Sequence, residues 1–279
     1  MRLRVVHTTG FEYGGKVLAS YNQARLTPQT RPGQIVAHHR VEVDPAPWSQ
    51  VYRDWFGNEV TAFEVLDPHR SMTVRSISTV HTDRRAAPGP VLSWDEMGRA
   101  QSQDRWTEYL AIPELVAPAP DLVLAARELA MLSPTPGDAA REICRLVHRE
   151  MEYVPGSTDA TTGARQAWEQ RAGVCQDMAH VALGALRSVG VPARYVSGYL
   201  HPRKEAVVGE TVAGESHAWV EWWDGGWRGY DPTNDLEPGD RWVVAAVGRD
   251  YFDVRPLHGV FTGAGTSAMF VEVEVTRLE

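Results

Sequence analysis

Cysteine is scarce in this chain: Cys144 and Cys175 are the only two in 279 residues. A disulfide framework is thereby excluded, and a reducing cytoplasm is the simplest compartment. Positive charge is short as well, with 28 Lys and Arg against 36 Asp and Glu for a net charge of −8. That balance supplies no basic field for nucleic acid or an anionic bilayer surface, so neither is expected as a partner. Long apolar runs are also missing. The opening MRLRVVHTTGFEYGG breaks into polar residues and glycine before reaching the roughly 7–15 apolar residues of a leader core, and no later stretch approaches the ~20 of a membrane span. What is present is 43% hydrophobic content, enough for a sizeable core, over a length that suits two domains of roughly 100–200 residues.

The first 82 residues run in short alternating stretches, LRVVHTT, YNQARLTP, QIVAHHRVEVDP, NEVTAFEVL and MTVRSISTVHT, separated by Gly, Pro and Asp. Successive strand side chains point to opposite faces, so the pattern predicts an antiparallel β-domain. DRRAAPGP at 83–90 is a polar connector after which the spacing turns helical, and the boundary is placed there, between a β-rich domain over 1–85 and a second domain over 86–279. In that second domain DLVLAARELAML has an acidic N-cap at Asp121 and a helical apolar stripe, and SPTPGDAAREICRLVHREMEYV repeats the signal. Cys144 lies beside its stripe of Ile143, Leu146, Val147 and Met151, which predicts a packed thiol. A helix over Gln176 to Val189 stops at Gly190 and Pro192. Beyond it the period falls to two: ARYVSGYL, ESHAWVEWW and WRGYDPT read as strands, with Asp224, Gly225 and Gly226 turning the second into the third. RWVVAAVGRDYFDVRP and SAMFVEVEVTRL supply at least two more strands.

Cys175 stands immediately before the Gln176–Val189 helix. A thiol there meets unpaired backbone N–H groups and the positive end of the helix dipole, both of which favour the nucleophilic thiolate. The same N–H groups can hold the oxyanion of a tetrahedral intermediate. A nucleophilic cysteine needs a base. His180 lies five residues on, about 140° around the helix, so it points away and reads as a packing or capping residue. His217, in the strand Glu215–Trp223, is the stronger candidate base, and Asp231 on the next strand is its candidate orienting group. If the loop 224–226 has three residues with glycine at the left-handed position, Trp223 pairs with Trp227 and Asp231 falls opposite Trp219. Trp219 and His217 share a face, so Asp231 becomes a diagonal neighbour of His217. A two-residue loop would turn Asp231 to the wrong face. Trp219, on the His217 face, is a candidate wall of the substrate cleft, and Tyr199, at the end of the strand after the cysteine helix, is a candidate lining residue.

Four stretches carry a resemblance: GVCQDMAH at 173–180, RSVGVPARYVSGYL at 187–200, SHAWVEWW at 216–223 and GWRGYDPTND at 226–235. Together they closely resemble the bacterial transglutaminase-like superfamily with its papain-like core, here over about 151–235. Carried over position by position, that family's Cys–His–Asp triad falls on Cys175, His217 and Asp231. HTTGFEYGGKVLASYNQARLTPQ is similar to the β-rich domain that precedes the core in one bacterial branch, and GRDYFDVRPLHGV at 248–260 resembles that branch's tail. The implied fold is α+β, a β-rich N-terminal domain followed by helices packed on an antiparallel sheet. The implied chemistry is acyl transfer from a peptide or amide substrate through a Cys175 thioester, without a cofactor. Gln176 stands where the eukaryotic cross-linking enzymes commonly carry an aromatic residue, and no D-x-[DN]-x-[DN]-G calcium loop is present. Both departures weaken protein cross-linking as the default, and the leading expectation is hydrolysis by a cysteine peptidase or amidase, with protein-glutamine transglutamination as the alternative. Two readings of other classes stand beside it: a zinc module built on Cys175, His180 and His217, although no CxxC pair supplies further sulfur, and a non-catalytic interaction scaffold.

Overall fold

The computed structural model describes residues 1–84, 91–99, 104–263 and 266–279. Its first element merges what reads as separate runs: β1 extends without interruption over Arg2–Ala24. A register shift between Glu12 and Val17 divides it into two halves with different neighbours. The first half pairs with β5 (His69–Thr82) and β13 (Ser267–Arg277), the second with β4 (Glu59–Val65) and β12 (Leu257–Gly263). β2 (Gln34–Asp44) adds to β5, and β3 (Trp48–Arg53) adds to β4. The C-terminal strands β12 and β13 thus run along one edge of β1, and β4 and β5 along the other. Residues 85–90 of the connector at 83–90, where the boundary was expected, lie outside the described residues.

Single turns α1 (Trp94–Met97) and α2 (Thr107–Leu110) lead into α3 (Pro120–Leu132) and α4 (Pro136–Glu150). Both longer helices begin with proline, whose fixed φ suits a first turn and whose missing N–H is not needed there. Ala119, not Asp121, is the N-cap of α3; the Asp121 carboxylate accepts from Trp168 Nε1 at 2.9 Å instead. α5 (Ala164–Gln170) and α6 (Cys175–Ser188) follow. Ile143, Cys144 and Val147 of α4 and Met178, Ala182 and Leu186 of α6 share one core with Ala218, Val220 and Trp222. Cys144 is fully buried there, and burial, aided by the negative field of Asp231, pushes its thiol up.

The sheet beneath these helices is built from β8 (Ala193–Leu200), β9 (Thr211–Trp223), β10 (Trp227–Tyr230) and β11 (Trp242–Gly248). β9 begins four residues earlier than its sequence pattern, and Thr211 to Gly214 pair with β13 while the remainder pairs with β8. One strand therefore fuses both parts into an 11-stranded sheet with the path β11-β8-β9-β13-β1-β4-β3. No described helix is long and apolar enough to cross a membrane.

A buried ion pair ties the parts together from the side. Glu221 of β9 accepts from Arg31 Nη2 at 2.8 Å and from Arg194 Nε and Nη2 at 2.9 and 2.6 Å. Burial would raise its carboxyl, but the two guanidinium groups overcome that and hold it at about 2. The contribution is present above the ordinary glutamate value of 4.5 and is lost as the pH falls through about 2. Glu221→Gln should therefore cost roughly 3 kcal/mol at neutral pH, since it removes the one buried charge that pairs two partly buried cations. Urea denaturation at pH 7 and pH 3 measures this; equal stability of variant and wild type at both would contradict the assignment.

Candidate active site

β6 (Glu152–Tyr153) and β7 (Ala172–Gly173) form a short parallel pair that delivers the chain to α6. Val174 is the N-cap and Cys175 the first helical residue. Asp177 fastens this start: its Oδ2 accepts from the Val174 N–H at 2.7 Å and from the Thr158 hydroxyl at 2.6 Å. A carboxylate in the first turn satisfies an otherwise unpaired donor and complements the helix dipole. The clasp also requires glycine at 173, where a Cβ would lie 2.6 Å from Asp177 Cβ. Cys175 itself is half-buried, so the sulfur-bearing residue keeps access to solvent.

The β9–β10 hairpin has the three-residue loop that the parity argument needs. Trp227 pairs with Trp223 and Tyr230 with Val220. Asp224 N–H donates to Gly226 O at 2.9 Å, and Gly225 takes a φ of 75°, which glycine adopts without strain. Continuing the register sets Asp231 opposite Trp219, and its carboxylate reaches the diagonal His217: Oδ2 accepts from His217 Nε2 at 2.7 Å. Cys175 lies close enough to the same imidazole to act on its protonation. The structure thus brings Cys175, His217 and Asp231 together.

Burial by itself would strip the proton from His217. The bonds to Asp231 and Cys175, with their negative fields, outweigh that and raise it from its ordinary 6.5 to about 10. Asp231 has no exposed surface, and burial would raise it. Donation from His217, Asn234 and Trp242 holds it below the carboxylate range instead. The two groups contribute to stability over different ranges. His217's contribution is fully present below about 6.5 and lost as the pH rises through about 10. That of Asp231 is present above its ordinary carboxylate range and lost as the pH falls below it.

Two candidate lining residues are corrected by their depth. Trp219 does share the His217 face, its ring 6.2 Å from the imidazole, but it is fully buried among Val196, Trp242, Val244 and Val247 and offers no surface to a substrate. Tyr199 is buried between the two parts, its hydroxyl 3.2 Å from His7 Nδ1 on β1. His180 has the capping role expected of it: its Nε2 accepts from the Tyr251 N–H at 3.1 Å, at the start of α7 (Tyr251–Val254). That ring nitrogen is therefore unavailable for the metal set considered with Cys175 and His217, and the described residues contain no cluster of three His, Cys, Asp or Glu suited to a metal ion. Sequence reasoning missed Asn234 and Trp242, the other side-chain donors to Asp231, and Tyr153. Tyr153 is 44% exposed, and its phenol is pushed up by burial and then by its neighbours Cys175 and Glu215.

The transglutaminase-like superfamily model matches residues 125–244, and the bacterial transglutaminase-like N-terminal region matches residues 3–81. An uncharacterized protein of Mycobacterium leprae is 43% identical over 277 residues, 99% of each chain. A protein-glutamine gamma-glutamyltransferase of Pseudomonas aeruginosa is 29% identical over 157 residues, which is 53% of this chain and 23% of that enzyme. Among solved structures, a candidate cysteine protease from Cytophaga hutchinsonii superimposes with a TM-score of 0.74 at 20% identity, covering 98% of this chain and 90% of that one.

Replacing Asp231 by Asn removes a charge and leaves burial to act on His217 with only the sulfur to oppose it. The imidazole should then titrate roughly two units or more below its wild-type value near 10. NMR titration of His217 reads this directly, and an unchanged midpoint in a folded Asp231→Asn protein would contradict the electrostatics.

Proposed function

The chain belongs to the transglutaminase-like superfamily, and we propose that it is a cysteine peptidase or amidase, with Cys175 as nucleophile, His217 as general base and acid, and Asp231 orienting the imidazole. The observation that carries this reading is the 2.7 Å contact of His217 Nε2 with a fully buried carboxylate, with Cys175 acting on the same imidazole.

The sulfur of Cys175 attacks the amide carbonyl carbon while His217 holds the thiol proton. Backbone N–H groups at the start of α6 receive the oxyanion that forms. The C–N bond then breaks, His217 delivers the proton to the departing amine, and the acyl group stays on sulfur as a thioester. Water deprotonated by His217 attacks that thioester, the C–S bond breaks, and the released carboxylic acid leaves the thiol restored. Asp231 fixes the ring so that one nitrogen always faces sulfur. Gln176 and the missing calcium loop favour water as the acceptor. The similarity to the Pseudomonas aeruginosa protein-glutamine gamma-glutamyltransferase supports the second reading, in which an amine takes the acyl group. Two free cysteines, one of them the nucleophile, suit a reducing compartment such as the cytoplasm.

Cys175→Ala should abolish acyl transfer without unfolding the protein, whereas Cys144→Ala should leave activity nearly intact. In the native wild type, iodoacetamide should alkylate Cys175 far faster than Cys144 near neutral pH, as read by peptide mass spectrometry. Equal loss of activity in both variants, or comparable alkylation rates, would refute a single nucleophile at 175.

A further inference from the structure

Five donors among the described residues converge on the Asp231 carboxylate. Oδ1 accepts from the backbone N–H groups of Thr233 and Asn234 at 3.0 and 3.2 Å, within its own turn. Oδ2 accepts from His217 Nε2 at 2.7 Å, from Asn234 Nδ2 at 2.8 Å and from Trp242 Nε1 at 3.0 Å. The turn fixes where the carboxylate sits. The Asn234 amide and the Trp242 indole fix how it is rotated, so that Oδ2 stays aimed at the imidazole.

Trp242 enters from the first residue of β11, and β11 ends the sheet path. Such an edge leaves backbone groups unpaired unless something covers it. Two side-chain amides from the N-terminal part do so. Gln34 Nε2 donates to Val244 O, and Val244 N–H donates back to Gln34 Oε1, both at 2.8 Å. Asn58 Nδ2 donates to Val247 O, and Val247 N–H donates back to Asn58 Oδ1, again at 2.8 Å. Each amide reproduces the paired bonds of a neighbouring strand, and both are almost completely buried. Phe56, from the same part of the chain, packs against the cluster that contains Trp242.

We propose that Asn234 and Trp242 are positioning residues for Asp231, and that the N-terminal sheet serves the active site by holding the strand that carries Trp242. This rests on the Cys175–His217–Asp231 reading above. Losing a donor to a buried carboxylate disfavours its charged form, so the anion survives over a narrower range on the acid side. The paired state of Cys175 and His217 loses its support over the same range.

The test needs no substrate. The rate of Cys175 alkylation by iodoacetamide is measured against pH, with buried Cys144 as the slow internal control and the thermal midpoint recorded for every variant. Trp242→Phe and Asn234→Ala should each move the acid limb of the profile up by about one pH unit, the worth of a charge-assisted bond. Gln34→Met, which keeps the bulk and removes both amide bonds, should move it the same way by less. A role in stability alone would lower the midpoint and leave the limb in place. If Trp242→Phe does not fold, Asn234→Ala, which deletes one side-chain amide, decides; if Gln34→Met does not fold, Asn58→Leu decides in its place. An acid limb that shifts in Asp231→Asn but in neither Asn234→Ala nor Trp242→Phe overturns the positioning role and leaves the triad standing. A limb unmoved in the folded Gln34→Met or Asn58→Leu protein overturns the part assigned to the N-terminal sheet. A limb unmoved in Asp231→Asn itself overturns the triad.

Discussion

His217 and Asp231 are 14 residues apart in sequence and meet at 2.7 Å because three residues, rather than two, turn β9 into β10. Side chains alternate along a strand, so one residue fewer in that loop would send the carboxylate to the opposite face and leave the imidazole without a partner. The turn is itself held. Asp224, nearly fully buried, accepts from the Leu92 N–H at 2.8 Å and from Arg228 Nε at 2.9 Å, while Gly225 supplies the left-handed residue. Two features of the site depend on this register: the direction of His217 and the charge that keeps its ring protonated.

A buried ion pair is not stable by attraction alone, because removing two charges from water costs several kcal/mol per ion before any contact is made. This fold meets that demand with donors. Asp231 receives them from its own turn, from Asn234 and from Trp242, and Glu221 receives them from two arginines on different elements. Both anions lie on or beside the β9–β10 hairpin, where the helical part and the β-rich part share strands. The two parts are therefore coupled through polar groups as well as through the core formed by Leu3, Val5, Val80, Tyr199, Val243, Val273 and Val275.

The arrangement of Cys175, His217 and Asp231 was legible in the sequence because it obeys local rules. A cysteine directly ahead of a helical stripe, a histidine in an alternating run and an aspartate at matched parity need only helix and strand periods to be related to one another. What escaped was non-local or a matter of depth. Parity places Trp219 on the right face but does not say that β11 covers it, so a residue expected at a cleft wall proved fully buried. LRVVHTT and YNQARLTP read as separate runs, yet β1 crosses the glycine-containing stretch between them and changes partners there. β3 is exposed along its whole length, and a strand with no buried face leaves no alternation to detect. The pairing of β13 with β1 joins residues more than 250 positions apart, and the donation from Trp242 to Asp231 crosses an intervening loop. No spacing rule reaches either.

Hydrolysis and transamidation share every step up to the thioester and diverge only in what attacks it, so both readings stand or fall with the acyl-enzyme. Its most direct test is intact-mass and peptide mass spectrometry of the protein quenched in acid after incubation with a library of peptide and amide donors. The account predicts an acyl mass on Cys175 that hydroxylamine removes, with the matching amine released into solution. Release of amine without any adduct at Cys175, or an adduct that forms equally well when Cys175 is replaced, would contradict it.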